Sequence, residues 1–129
     1  MHTDLVAALD IGGTKIAGAL VDGHGEILVR AQRTTPAQED GDTVMGAVEE
    51  VVGELTASPL WAGATALGIG SAGPVDASAG TVSPVNVPGW RDYPLVARVR
   101  DAAGGPPVAL IGDGVAVTAG EHWQGAAGR

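Results

Sequence analysis

No cysteine occurs in the chain, so neither a disulfide nor a thiolate metal site contributes to its stability or chemistry. Phenylalanine is also absent and aromatic residues make up only 3% of the sequence, so the core has to be assembled from Val, Ile, Leu and Ala. Lysine occurs once, at Lys15, in a chain whose formal net charge is −8. That acidic balance argues against a nucleic-acid surface or an anionic membrane as partner. His2, His24 and His122 are scattered without metal-ligand spacing. No apolar run is long enough to span a bilayer, and the first one, Leu5 to Leu9, follows Met-His-Thr-Asp rather than a basic segment. The expectation is no signal peptide and a cytoplasmic location.

What is present points to a globular domain. Hydrophobic residues reach 45% over 129 residues, enough for one core and one domain, and the 21 glycines show no collagen-like period. Leu5 to Leu9 reads as a strand buried on both faces, Asp10 to Thr14 as a turn, and Lys15 to Val21 as a second strand. Asp22-Gly23-His24-Gly25 has hairpin chemistry, and Ile27 to Thr34 follows as a third, antiparallel strand. Val44, Val48, Val51 and Leu55 then recur at helical spacing from Asp42, a candidate N-cap, to Thr56, with Pro59 ending the run. Thr65 to Ser71 is a fourth strand. Asp92 caps a second expected helix carrying Leu95, Val96 and Val99, which stops at Gly104-Gly105-Pro106. Val108 to Ile111 is a fifth strand, and Val115 to about Gln124 a third helix. The order βββαβαβα predicts an α/β fold with a mixed sheet and helices on its faces.

Four strings carry candidate chemistry. In Asp10-Ile11-Gly12-Gly13-Thr14-Lys15, adjacent glycines let the backbone turn its N–H groups toward an anion. Asp10 offers a carboxylate to Mg²⁺, directly or through water, while Thr14 and Lys15 can donate to phosphate oxygens. A plain hairpin flanked by an aspartate fits the same string. Gly68-Ile69-Gly70-Ser71-Ala72-Gly73 matches the dinucleotide-binding pattern, but Pro74 and a loop-like stretch to Gly80 follow where that pattern needs a helix. No Walker-type phosphate loop exists. In Asn86-Val87-Pro88-Gly89-Trp90, Asn86 could pair with a sugar hydroxyl and Trp90 could wall a pocket; an ordinary Pro-Gly turn with a core tryptophan fits as well. Asp113, just beyond a strand and before a helix, is placed to accept a proton during phosphoryl transfer or simply to cap that helix. His122 and Trp123 read as packing or surface residues.

Taken in order, these strings resemble the N-terminal domain of the ROK family (repressors, open reading frames and kinases), which includes bacterial glucokinases, fructokinases and N-acetylhexosamine kinases. The matching parts are Leu9 to Lys15, Gly70 to Asp76, Asn86 to Trp90, and Asp113 with Gly120-Glu121, and they span nearly the whole chain. The resemblance implies an actin-like, ribonuclease-H-like domain that phosphorylates a hexose with Mg·ATP. Asp10, Gly12, Gly13, Thr14 and Lys15 fall where the family holds nucleotide phosphates and Mg²⁺. Gly73 and Asn86 fall where it touches sugar, and Asp113 where its catalytic base binds the reacting hydroxyl.

Two departures stand out. The family usually has Asn immediately before the catalytic Asp and again two positions after it; here Gly112 and Val115 stand there. The family's second lobe, with its Glu and His sugar ligands, zinc site and most of the adenosine pocket, has no counterpart in these 129 residues. The expectation is one N-terminal lobe over residues 1–129, without a zinc site, that self-associates through the face its partner lobe normally covers and has little or no kinase activity alone. A sugar-responsive regulator of the same family is a second reading, opposed by the acidic charge and the lack of room for a helix-turn-helix before Asp10. A non-catalytic sugar-binding module is a third, favoured by Gly112 and Val115.

Overall fold

A computed structural model describes residues 4–111. Asp113, Gly112, Val115, the Gly120-Glu121 pair, His122, Trp123, His2 and the expected third helix lie outside the described residues.

The first three strands form a meander because each gap holds a turn the chain can close cheaply. β1 (Leu5–Ile11), β2 (Lys15–Val21) and β3 (Ile27–Thr34) pair antiparallel in sequence order. Between β2 and β3, the Asp22 carboxylate accepts from the N–H groups of His24 and Glu26, at 2.8 and 2.9 Å, and Gly25 takes a φ of 81°. β4 (Ala64–Ser71) and β7 (Val108–Ile111) then add in parallel on the other side of β1, giving the order β3-β2-β1-β4-β7. Parallel neighbours need crossovers, and the helices supply them. α1 (Gly41–Thr56) leads from β3 to β4, and α2 (Leu95–Ala103) leads into β7.

The two helices touch each other and lie on one face of the sheet, α1 over β2 and β3 and α2 beside β7. Val44, Met45, Val48, Val51, Val52 and Leu55 of α1 are completely buried, each worth roughly 1.5–3 kcal/mol of apolar transfer. They meet Leu9, Ile11, Ile16, Leu20, Leu67 and Ile69 from the sheet. α1 comes so near β2 that a Cβ on Gly18 would lie 2.6 Å from Val51 Cγ1. Along β1, Leu5, Ala7, Leu9 and Ile11 are buried while Asp10 is exposed, so Asp10 belongs to the opposite face.

Several boundaries differ from the sequence expectation. β1 continues through Asp10 to Ile11, because both residues pair on either side, with Ala17 and Ile16 and with Gly70 and Ser71. The turn is accordingly Gly12 to Thr14. The N-cap of α1 is Asp40, whose carboxylate accepts from Thr43 N at 2.8 Å; Asp42 sits in the first turn, where its charge suits the helix dipole. Asp92 does not cap α2. Its φ of 48° is not the extended conformation a cap needs, and Pro94 precedes Leu95 without a side-chain cap. α1 stops at Thr56, and Pro59 opens a short 3-10 helix, Pro59–Gly63, rather than closing α1. The stretch read as a loop after Pro74 contains a two-stranded ribbon, β5 (Val75–Asp76) with β6 (Thr81–Val82). α2 ends as expected: Gly104 takes a φ of 87°, and Gly105 N donates to Arg100 O at 2.9 Å.

Candidate functional site

Because β1 and β4 run parallel, they end side by side, Ile11 opposite Ser71. The loops that leave them therefore share one end of the sheet, the place where open α/β sheets present their ligands. The first loop is the tight reversal Gly12-Gly13-Thr14, closed by Gly12 N donating to Lys15 O at 3.0 Å. Thr35, just past β3, holds it from beneath. Its buried hydroxyl donates to Gly12 O at 2.8 Å, and its N–H donates to Thr14 O at 2.9 Å. Asp10, Thr14 and Lys15 are exposed at this end.

The second loop starts at Ala72, whose N–H donates to Ile11 O at 3.1 Å, and it carries Gly73 and Asn86. Gly73 O accepts from Val85 N at 3.4 Å and Pro74 O from Ser83 N at 2.9 Å, so the Gly73 segment is laced to the one that presents Asn86. Arg91 reaches back to fix that segment, its Nη1 donating to Pro84 O at 3.0 Å and Val87 O at 3.2 Å. Trp90 is fully buried, stacks on Tyr93 with centroids 4.8 Å apart, and donates from Nε1 to Gly41 O at 2.9 Å. Of the two readings of Trp90, the core one holds. The tryptophan pins the loop to α1 and does not wall a pocket.

The two loops meet at Gly13. A Cβ there would lie 2.9 Å from Asn86 Cβ, so only glycine admits Asn86 this close. Between them opens a groove of about 440 Å³ lined by Gly13, Thr14, Ala37, Gln38, Val85, Asn86 and Pro88. It brings two of the expected phosphate residues together with one of the expected sugar residues. Asp10, Gly12, Lys15 and Gly73 stand at the same end of the sheet without lining it. A wider concavity at the start of α1 is bordered by Asp40, Asp42 and Tyr93, and its carboxylates would repel a polyphosphate.

Asp10 fits Mg²⁺ as a single exposed carboxylate at a strand end, since that ion takes one or two carboxylates and keeps waters or phosphate oxygens for the rest. No group of three or more His, Cys, Asp or Glu placed to hold a metal occurs among the described residues. Sequence reading missed Thr35 and Arg91. Each acts through backbone carbonyls far along the chain or inside a turn, and neither carries a motif. The only hints were the Thr34-Thr35-Pro36 step after a strand and a cation directly following Trp90.

Comparison with known proteins bears on the family and the fold. A family model for the ROK family matches residues 6–129. The N-acetylmannosamine kinase of Shigella flexneri is 34% identical over 106 residues, covering 81% of this chain and 35% of that protein. Among solved structures, a ROK hexokinase from Thermus thermophilus superposes with a TM-score of 0.70 at 34% identity, over 84% of this chain and 35% of that one. A ROK family glucokinase from Streptomyces griseus, solved with glucose and AMPPNP, gives 0.68 at 34% identity, over 84% and 33%. An inorganic polyphosphate/ATP-glucomannokinase from Arthrobacter gives 0.75 at 32%, over 96% and 50%. The fold is that of the actin-like ATPase domain of these kinases. The chain spans about a third of the length of the curated relatives it matches.

Proposed function

The chain belongs to the ROK family, and from that premise we propose that it is the N-terminal lobe of an ATP-dependent hexose kinase. The observation that carries this reading is the groove in which Gly13 and Thr14 of the glycine turn face Asn86. One wall offers backbone N–H and hydroxyl donors suited to phosphate, the other an amide suited to a sugar hydroxyl.

Gly13 N–H, the Thr14 hydroxyl and the Lys15 ammonium hold the phosphates, with Gly12 giving the turn its close backbone approach. Asp10 holds Mg²⁺, which when bound neutralises charge on the transferring phosphoryl group. Gly73 and Asn86 orient the sugar. Asp113 accepts the proton of the attacking hydroxyl as its oxygen bonds to the γ-phosphorus and the bond to the bridging oxygen breaks, leaving ADP. Ile111, two positions before Asp113 in the sequence, pairs with Gly70 beside the end of β1. That relatives include an N-acetylmannosamine kinase and a glucokinase supports a hexose or N-acetylhexosamine as the substrate class.

Phosphoryl transfer is almost entirely positioning within a closed, water-poor cleft, and this lobe provides one wall of it. The chain alone should therefore release no ADP above background with glucose or N-acetylmannosamine. A version carrying the second lobe of its relatives should turn over, and Asp113→Asn should cut that turnover by about 10²–10⁴-fold. Sugar-dependent ADP release by the 129-residue chain alone would refute the division of labour. Undiminished turnover in the two-lobed Asp113→Asn protein would refute the base. Gly112 and Val115 favour one alternative, a sugar-binding module without catalysis, and sugar binding without any ADP from the two-lobed protein would select it.

A further inference from the structure

The glycine turn is shaped by a residue outside it. Thr35 is only 6% exposed, yet its hydroxyl and its N–H both donate to the turn, to Gly12 O at 2.8 Å and Thr14 O at 2.9 Å. Neither carbonyl has a strand partner within the reversal, so Thr35 satisfies both acceptors at once.

The consequence lies on the other side of the peptide. Gly12–Gly13 is a trans bond, and in a trans peptide the C=O and the following N–H point in opposite directions. Drawing Gly12 O onto the Thr35 hydroxyl therefore turns the N–H of Gly13, a residue that lines the groove with Asn86, to the side away from that hydroxyl. Glycines at 12 and 13 leave this peptide free to flip, since neither carries a Cβ to resist it. The hydroxyl is what selects one of the two orientations. Thr35 also starts the stretch that runs through Ala37 and Gln38 along the groove to the Asp40 cap, so the same residue couples the turn to the groove's far wall.

We propose that Thr35 is the positioning residue of the phosphate turn, its hydroxyl fixing the Gly12 carbonyl so that Gly13 N–H is presented to a nucleotide phosphate. This rests on the reading of the turn as the phosphate site. Thr35 touches no ligand itself. Its contribution is to remove the cost of orienting the amide when phosphate arrives, which is preorganisation rather than contact.

The test uses the isotope-labelled chain, titrated with Mg·ATP and followed by amide NMR. Gly13 N–H should shift on titration in the wild type. Thr35→Val, which keeps the shape and removes the hydroxyl, should weaken Mg·ATP about tenfold, the effect of about 1.4 kcal/mol, while Thr35→Ser should stay within about twofold. Without ligand, the Gly13 order parameter should fall from about 0.85 toward 0.6 in the valine variant and recover in the serine one. Thr65→Val deletes a comparable hydroxyl-to-carbonyl bond, Thr65 Oγ1 to Leu5 O at 3.2 Å, at the opposite end of the sheet, and should leave Mg·ATP affinity unchanged. A merely structural brace would lower stability in both valine variants without singling out Gly13. If Mg·ATP moves no amide of the turn, the phosphate reading and this proposal fall together. If it binds and Thr35→Val leaves its affinity untouched, this proposal alone falls. Should Thr35→Val not fold, the wild-type Thr35 hydroxyl proton decides: protection from exchange in the Mg·ATP complex supports the clamp, and free rotation there overturns it.

Discussion

Replacing glycine by alanine should destabilise this chain at Gly89 and stabilise it at Gly53, though the chemical change is the same. A Cβ on Gly89 would lie 2.8 Å from Gly41 N, 3.0 Å from Glu39 O and 3.1 Å from Asp40 C. Comfortable contacts for a carbon begin at about 3.5 Å, so the methyl would be short of room by roughly half an ångström against three atoms together. All three are backbone, and none can rotate aside. They belong to the entry into α1, from Glu39 through the Asp40 cap to Gly41, held by that cap and by Trp90 Nε1 on Gly41 O. Either the helix start or the Asn86 loop has to move, and overpacking of this kind costs about 1–3 kcal/mol. Gly53 lies in the body of α1 with nothing within 4 Å of its missing Cβ. There alanine gains about 0.5–1 kcal/mol through reduced backbone entropy of the unfolded chain. Urea denaturation followed by tryptophan fluorescence and far-UV circular dichroism reads both. With m near 2 kcal/mol/M, Gly89→Ala should lower the midpoint by about 1 M and Gly53→Ala raise it by about 0.3 M. A Gly89→Ala midpoint equal to or above the wild-type one would refute the argument, because it would mean the loop and helix are not in backbone contact.

Trp90→Phe keeps an aromatic ring in the core but removes the indole N–H that ties the loop to Gly41 O, a carbonyl that keeps its own helix partner, so it should cost about 0.5–1.5 kcal/mol in the same titration; an unchanged midpoint would show that this bond does not pin the loop to α1. Acid should destabilise the chain partly through the cap of α1. Asp40 is held below its ordinary value of 3.8, first of all by the Thr43 backbone N–H, so its contribution is complete above 3.8 and disappears as the pH falls through the lower folded-state value. Asp40→Asn, which cannot titrate, should flatten that part of the acid decline, leaving the shares of Asp22 and Asp76, which are lowered by their own turn amides; an unchanged acid profile would count against the cap.

The elements that the sequence displayed were those specified locally. An unbroken apolar run marked β1, the period of Val44, Val48, Val51 and Leu55 marked α1, and Asp22 to Gly25 and Gly104 marked their turns. Where two local signals competed, tertiary geometry decided. Asp40 and Asp42 are both plausible caps, and the Gly89 loop abutting Gly41 sets where the helix begins. Asp10 looked like part of a turn because turn glycines follow it, whereas strand pairing on both sides extends β1 past it. The site was legible as a set of residue types but not as a groove. Gly13 and Asn86 meet only after β4 has inserted beside β1, and the grip of Thr35 on Gly12 or of Arg91 on Pro84 is made to carbonyls, which every residue has and no motif announces.

The sheet also has a second end. Every loop that forms the groove leaves from the ends of β1, β4 or β3, while the turn of Asp22 to Glu26, the 3-10 helix and the Gly104 to Pro107 connection all lie at the far end. Gly23, in the first of these, is exposed and has open space where a side chain would begin. Since the chain has no sulfhydryl of its own, a cysteine written in at Gly23 would be its only thiol. A dye, spin label or surface tether attached there would sit a full strand's length from the groove and leave it free.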